Sequence, residues 1–212
     1  MRRLLSFHAL LVYLFLYLPI LVVVALSFNE SRRGVHFTGF TLKWYQGLFQ
    51  DPRVLEYFAN TQVVALVSTL VSTVLGTLLA LGLVRYRFPG KGFLRYLLYV
   101  PVVVPDVVMG VSLLLLFAFS RELLGFPRLS LLTVILGHIT FQVAFVTLVV
   151  RSRLLLLDPA LEEAARDLGA RGFQTFLHVT LPLAWPGVAA GALLALTLSL
   201  DDFVVTFFTA GA

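Results

Sequence analysis

The chain has 212 residues, of which 59% are hydrophobic and 13% are charged, and its formal net charge is +5. Charged residues average about 25% in soluble domains, so this composition excludes a soluble domain and predicts an integral membrane protein. The basic residues flank apolar runs, a distribution that argues against nucleic-acid binding. The sequence has no cysteine, which excludes disulfides and thiolate metal sites.

Five apolar runs are long enough for the ~20 residues that a helix needs to cross about 30 Å of hydrocarbon. In chain order they are Ala9 to Phe28, Asn60 to Val84, Leu97 to Phe119, Leu129 to Val150 and Ala184 to about Phe208. Backbone groups in lipid must be satisfied internally, so such runs indicate helices and not barrel strands. The predicted fold is an all-α polytopic transmembrane bundle forming one domain, residues 1–212, with a long loop at 29–59 and a polar loop at about 151–183.

The loop charges predict the orientation of the chain. Ten Lys and Arg residues lie at the N-terminus and in the second and fourth connections, and six lie in the first and third. The second connection has four bases and no acid. By the positive-inside rule, the N-terminus and the polar loop are expected in the cytoplasm and the 29–59 loop outside.

The polar loop carries the signals of two short helices joined by a turn. Asp158 and Pro159 suit a helix start, because the carboxylate can accept free backbone N–H groups and proline suits the first helical position. Glu162 and Glu163 near that start favour the positive end of the helix dipole. Gly169 and Gly172 permit the left-handed residue that ends a helix.

The second short helix is expected to present an apolar ridge whose members fall at helical spacing: Phe173, Phe176, Leu177 and Thr180. Pro182 and Pro186 are expected to end this helix before the fifth span. An ordinary helical hairpin lying on the membrane would share these features.

Three carboxylates fall within the apolar spans or at their ends, Asp106, Asp201 and Asp202. An acid near the centre of a membrane helix costs about 2.5 to 3.5 kcal/mol, so it normally faces a cavity, a partner or a pathway. Alternatively, Asp201 and Asp202 are solvated at the outer interface, and Asp106 caps a helix that is broken by prolines. Adjacent residues on a helix diverge by 100°, so one of Asp201 and Asp202 is expected to point inward.

Two other features of the spans have a structural and a functional interpretation. His138 in the fourth span suits a packed, hydrogen-bonded residue better than a proton relay, since its own span has no acid. Gly187 and Gly191 form a small face for close helix contact, although such spacing also arises by chance in apolar runs.

Glu163, Ala164 and Ala165, with Gly169 and then Leu181-Pro182, resemble the Glu-Ala-Ala loop of the membrane subunits of type I, binding-protein-dependent ABC importers. The resemblance implies a permease that has no catalytic residue and converts a partner's ATP hydrolysis into movement of a solute. It implies that the loop couples to the ATPase subunit. Glu163 would make polar contact there or brace the loop, Gly169 would supply the turn, and Phe176 would fill a cleft of the ATPase.

Segments along almost the whole chain resemble the second permease subunit of spermidine/putrescine importers. They are Ser27-Phe28-Asn29, Lys43-Trp44-Tyr45, Tyr86-Arg87-Phe88, Pro105-Asp106, Gly137-His138-Ile139-Thr140-Phe141 and Leu198-Ser199-Leu200-Asp201-Asp202. This resemblance implies polyamine import in which Asp106, Asp201 or Asp202 meets the ammonium groups. Trp44 would lie near the path, since an aromatic face can hold an alkylammonium, although a Trp at a membrane interface is more often an anchor.

The resemblance also implies the other parts of the machine. Gly90-Lys91-Gly92 lacks the spacing and the hydroxyl of an ATP-binding loop, so ATP and Mg are expected on a partner ATPase, with no cofactor or metal in this chain. The implied partners are a homologous permease, two ATPase subunits and an external solute-binding protein, at the bacterial cytoplasmic (inner) membrane. Permeases of this kind usually have a sixth core helix, so a truncated C-terminus is expected.

Other transport functions remain open at this point. The same loop would serve a permease for ferric iron, thiamine, an opine or phosphonate. A proton-coupled secondary transporter or cation channel could use Asp106, Asp201 and Asp202 directly.

Overall fold

The computed structural model describes residues 2–31, 34 and 36–211. Two of the basic residues of the 29–59 loop, Arg32 and Arg33, lie outside these ranges. The helices of the described residues, in chain order, are α1 Arg2–Ser27, α2 Lys43–Gln50, α3 Pro52–Arg85, α4 Lys91–Leu97, α5 Val100–Val103, α6 Asp106–Leu124, α7 Leu131–Leu154, α8 Ala160–Asp167, α9 Gly172–Thr175, a π-helical segment Phe176–Thr180, α10 Leu181–Asp201 and α11 Val204–Thr209. An isolated bridge between Asn29 and Phe40 is the one β pairing in these ranges. The all-α class predicted from the sequence is confirmed.

In the part of the chain that the structure describes, five helical stretches are long and apolar enough to cross a membrane, in agreement with the number of spans predicted. They are Leu4–Ser27, Pro52–Arg85, Asp106–Leu124, Leu131–Leu154 and Gly172–Asp201.

The predicted bounds of the third and fifth spans are wrong. The third span begins at Asp106 and not at Leu97, because the chain breaks between α5 and α6 at Val104 and Pro105. Proline removes a backbone donor and holds the preceding residue extended, and Val104 has a ψ of 131°. The fifth span ends at Asp201, because Asp202 is also extended, with a ψ of 125°, before α11 begins.

Residues 1–59 and residues 60–212 form two compact units. In the first unit, the loop predicted at 29–59 contains α2 and the beginning of α3. The indole Nε1 of Trp44 donates to the carbonyl oxygen of Asn29 at 2.9 Å, and Phe28 stacks between Phe40 and Tyr45. These contacts hold α2 against the end of α1.

The core of the second unit forms around α7. Val146, Val150 and Leu154 on one face of α7 are buried against Ala80 of α3 and against α10. A second cluster joins Leu113 and Phe117 of α6 to Val205 of α11. α7 therefore lies between the helices that carry the three intramembrane acids.

Small residues allow α3 and α10 to approach α7 closely. A Cβ atom at Gly76 would lie 2.7 Å from Cβ of Val146, and one at Gly191 would lie 3.3 Å from Cγ1 of Val146. A Cβ atom at Gly187 would lie 2.5 Å from Cβ of Arg153. The face formed by Gly187 and Gly191 thus packs against α7 of the same chain, as expected for small residues at helix contacts in membranes.

The prediction that Pro182 and Pro186 end the second short helix is wrong. Helical structure runs from Gly172 through the π-helical segment into α10, with Pro182 in the first turn of α10 and Pro186 inside it. The amide of Leu181 donates to the carbonyl of Phe176, five residues back. Local π geometry accommodates proline within membrane helices.

The π-helical segment also overturns part of the predicted apolar ridge. Phe173 and Leu177 are exposed and Phe176 is half-buried, but Thr180 is buried. A π turn takes more residues than an α turn, so positions at α-helical spacing no longer share one face beyond Phe176.

Candidate substrate cavity and coupling loop

A cavity of about 290 Å³ lies where two helix breaks meet. One break separates α5 from α6 and the other separates α10 from α11. Its lining comprises Pro101, Val102, Val104, Asp106, Met109, Phe141, Phe145, Leu198, Asp201, Asp202, Phe203, Val204 and Val205. Within the described residues the lining therefore contains three carboxylates and no basic side chain, so the cavity suits a cation with an apolar body.

Asp106 is exposed at the first position of α6. The residue at the capping position is Pro105, and no side chain caps the helix there. The interpretation of Asp106 as a helix cap therefore does not fit the structure. A carboxylate at this position gains from the helix dipole and still presents its oxygens to the cavity.

Asp201 and Asp202 lie in different environments although they are adjacent. Asp201 is exposed at the last position of α10. Asp202 accepts hydrogen bonds from the amides of Val205 and Thr206, at 3.2 and 2.9 Å, and from the hydroxyl of Thr206 at 3.0 Å. Asp202 thus holds the start of α11, whereas Asp201 is available to a solute.

His138 joins the two helices on either side of the second break. Its Nδ1 lies 2.7 Å from Oγ of Ser199 on α10, and its Nε2 lies 2.9 Å from Oγ1 of Thr206 on α11 and 3.2 Å from Oδ2 of Asp202. The Thr206 hydroxyl already donates to Asp202, so Nε2 of His138 must carry the proton and donate. His138 is 1% exposed and fully engaged, as expected for a packed, hydrogen-bonded residue.

A chain of buried polar side chains continues from His138 into the middle of the bundle. Oγ of Ser199 lies 3.4 Å from Oγ of Ser68, which accepts from Nε2 of Gln142 at 3.2 Å. The same Nε2 donates to the carbonyl of Ala195, and Ser72 donates to Oε1 of Gln142 at 3.0 Å. This buried polar chain, Ser72–Gln142–Ser68–Ser199–His138–Asp202, links α3, α7 and α10 to the cavity wall. The roles of Ser68, Ser72, Gln142 and Ser199 in this chain were not predicted from the sequence, although polar residues in apolar spans often form hydrogen bonds between membrane helices.

Trp44 lies in the unit formed by residues 1–59. It is 40% exposed, and Nζ of Lys43 lies 4.9 Å from its ring centroid. A second cavity, lined by Ser27, Asn29, Trp44 and Tyr45 among others, opens within that unit. The structure brings the three acids together, and the placement of Trp44 on a substrate path stays a prediction.

The polar loop folds into a helical hairpin whose turn depends on Gly169. We call residues 158–180 the coupling hairpin. Oδ1 of Asp158 accepts from the amide of Ala160 at 3.0 Å, which starts α8 as the sequence predicts. At the other end, Gly169 has a φ of +91°, its amide donates to Arg166 O, and the amide of Ala170 donates to Ala165 O. This is the Schellman arrangement, in which a left-handed glycine ends a helix.

The residues matched to the Glu-Ala-Ala motif differ in their exposure. Glu163 and Ala164 are exposed, while Ala165 is half-buried. Leu181 packs against the core around α7, and Pro182 is exposed. The exposed side of the coupling hairpin, with Glu163 and Phe173, is the surface available to a partner.

Glu162, which the sequence interpretation did not single out from its neighbour, is the buried acid of the coupling hairpin. Its Oε1 lies 2.9 Å from Nη2 and 3.1 Å from Nε of Arg85, the last residue of α3. Thr180 donates to the same oxygen at 2.9 Å. The only sequence signal that Glu162 forms an ion pair was its spacing of four residues from Arg166. Its main partner, Arg85, is far away in the sequence.

Residues 72–212 match the family described as "Binding-protein-dependent transport system inner membrane component", and the chain belongs to this family. It is therefore a permease, a transport component of the inner membrane. The chain is 43% identical over 200 residues to the "Spermidine/putrescine transport system permease protein PotC" of Escherichia coli (strain K12), covering 94% of this chain and 74% of that protein. It is 40% identical over 204 residues to the "Putrescine transport system permease protein PotI" of the same organism, covering 95% and 73%.

The fold has a solved counterpart. All of this chain superposes on 82% of a chain in the "Crystal structure of a bacterial ABC transporter involved in the import of the acidic polysaccharide alginate", with a TM-score of 0.73 and 18% identity. At that identity the likeness confirms the fold of an ABC importer permease and carries nothing about the solute.

Proposed function

We propose that this chain is the membrane-spanning permease subunit of an ATP-driven importer of spermidine or putrescine. The cavity at the two helix breaks is the observation that supports a polyamine as the solute. Asp106 and Asp201 are exposed there, and no basic side chain lies among the described lining residues. The names of the relatives PotC and PotI point in the same direction.

The chemistry of the cavity suits a linear polyamine. Each ammonium group of such a molecule gains from a carboxylate, and rings of acids serve cation pathways in the same way. The methylene groups between the ammonium groups gain from apolar walls, here Met109, Phe141 and Phe145. Asp202 has a supporting role in this scheme, because its oxygens are already engaged by α11 and His138.

The coupling hairpin provides the contact with a separate ATPase. Glu163 is exposed for polar contact, Gly169 fixes the turn, and Phe176 is half-buried while Phe173 and Leu177 are exposed. ATP binding by two ATPase subunits, which also hold Mg, would draw the hairpins of this chain and of a second, homologous permease together. The two bundles would then open outward to accept a solute from an external binding protein.

The orientation follows from the charges of the loops. The coupling hairpin and the N-terminus lie in the cytoplasm under this proposal, because the connections on that side carry ten of the sixteen basic residues.

The test is uptake of labelled spermidine and putrescine by importer-deficient cells that express this chain with its ATPase, second permease and binding protein. We expect accumulation that requires ATP and that falls in Asp201→Asn, with Asp51→Asn, an acid in the unit formed by residues 1–59, as the matched charge control. An assembled complex with active ATPase but no accumulation of either polyamine would contradict the solute and leave the permease in place. Accumulation that survives loss of ATP but collapses with the proton gradient would contradict the ATP-driven mechanism.

A further inference from the structure

We propose that the ion pair between Arg85 and Glu162 is the link through which the coupling hairpin and α3 move together, so that both are positioning residues for transport. The inference rests on the proposed role of the hairpin as the contact with the ATPase.

One carboxylate oxygen joins three elements. Oε1 of Glu162, on α8, accepts hydrogen bonds from Nε of Arg85, on α3, and from Oγ1 of Thr180, at the end of the π-helical segment, and it pairs by charge with Nη2 of Arg85. The three distances are 3.1, 2.9 and 2.9 Å. The planar guanidinium holds its donors in a fixed fork, so this geometry specifies the position of the α3 end relative to both arms of the hairpin.

Glu162 is buried and Arg85 is half-buried, which separates the pair from an ordinary surface contact. The side chains of Arg85 and Glu162 are 19% and 9% exposed, respectively. By contrast, Arg166 lies 3.7 Å from the other oxygen of Glu162 and is 57% exposed. Exposed ion pairs four residues apart on a helix contribute little to stability. Removing one member of a buried pair, by contrast, leaves the other charge unpaired.

The connectivity of the chain gives the pair its importance. The coupling hairpin is joined along the chain to α7 and α10, but not to α3. α3 carries Ser68 and Ser72 of the buried polar chain that ends at Asp202. The Arg85–Glu162 pair ties this helix directly to the hairpin.

Two adjacent glutamates thus serve opposite sides of one short helix. Glu163 is exposed toward the surface proposed for the ATPase, and Glu162 is buried toward α3. A displacement of Glu163 by the ATPase is transmitted to α3 through Glu162.

Distance measurement tests the link without reference to any solute. Because the chain has no cysteine, Tyr86→Cys and Asp167→Cys can carry spin labels at two exposed positions, one beside Arg85 and one at the end of α8. In an assembled importer with cysteine-free partner subunits, we expect one narrow distance distribution that does not change when ATP is added. Glu162→Gln should broaden it, while the matched control Glu163→Gln should not. A narrow distribution in Glu162→Gln, or a parent distribution that shifts with ATP, would overturn the proposal.

Transport gives the second readout. Spermidine imported per ATP hydrolysed, normalised to inserted protein, should fall about five- to tenfold in Arg85→Glu and in Glu162→Arg, in the range of typical coupling between sites. The double variant should recover part of the loss, and Arg87→Gln, which removes an exposed charge two residues away, should match the parent. A double variant no better than either single variant would count against the link. Lack of spermidine uptake by the parent, with the expected distances intact, would overturn only the solute assignment.

Discussion

Nε2 of His138 lies 3.2 Å from Oδ2 of Asp202 and 2.9 Å from Oγ1 of Thr206, so one buried imidazole holds the segment where α10 ends and α11 begins. The peptide there is extended, and the start of α11 depends on the Asp202 carboxylate. The wall of the cavity therefore has a fixed shape although it is formed at a helix break.

Replacing His138 with Leu should destabilise the protein. The change removes the imidazole contacts of Ser199, Thr206 and Asp202, and a buried polar group that loses its partner costs about 1–3 kcal/mol. The thermal unfolding midpoint in detergent should fall, while His8→Leu, at an exposed position of α1, should leave it unchanged. An unchanged midpoint in His138→Leu would mean that the hydrogen bonds of the imidazole contribute nothing measurable.

The two adjacent aspartates should give different defects. Asp201→Asn should raise the KM for spermidine uptake with little effect on thermal stability, because Asp201 is exposed to the cavity and its charge is what a cation would meet. Asp106→Asn should behave in the same way. Measurement of KM and of the unfolding midpoint for each variant separates the roles.

Asp202→Ala should instead destabilise α11 by about 0.5–2 kcal/mol, the range for loss of a helix cap. The unfolding midpoint in detergent reports this change. A variant that kept the parent midpoint and lost only solute affinity would place Asp202 with Asp201 in direct contact with the solute.

Gly169→Ala should impair coupling, because Gly169 has a φ of +91°, a conformation that costs a residue with a Cβ about 1–2 kcal/mol. ATP-dependent uptake per inserted protein should fall. Gly172→Ala is the matched control, since it adds the same methyl group at a glycine that begins α9 and has open space around it. Equal uptake in the two variants would contradict a role for the turn.

Glu163→Ala should abolish uptake while the permease stays inserted in the membrane. Glu163 is exposed, and its removal should not disturb the Arg85–Glu162 pair beside it. Uptake and the amount of inserted permease, measured in the same membranes, check this expectation. Normal uptake would remove Glu163 from the coupling contact.

Much of the local structure could be predicted from the sequence. Three features depend on residues that are close together in the sequence, so local sequence patterns can specify them. They are the number of spans, the start of α8 just after Asp158 and the turn at Gly169. The acids of the cavity could be identified because a carboxylate in an apolar span is conspicuous.

The remaining features depend on residues far apart in the chain. The partner of Glu162 is 77 residues away, so its pairing with Arg85 cannot be read from the residues near Glu162. The bounds of the third and fifth spans were wrong because apolar residues continue on both sides of the breaks at Pro105 and Asp202. Helical periodicity indicated that Asp201 and Asp202 point in different directions, but not which of them binds the amides at the start of α11.

The buried polar chain constrains the order in which the protein can be assembled. Gln142 and His138 on α7 find acceptors and donors on α10 and α11, which leave the ribosome later. Gln142 also has partners on α3, which is made earlier, but until then the imidazole of His138 faces lipid, where such a group is unfavourable without a partner. α7 can therefore reach its stable position only after the C-terminal helices have entered the membrane, and a ribosome stalled before Ala195 would leave an insertion intermediate exposed to membrane proteases.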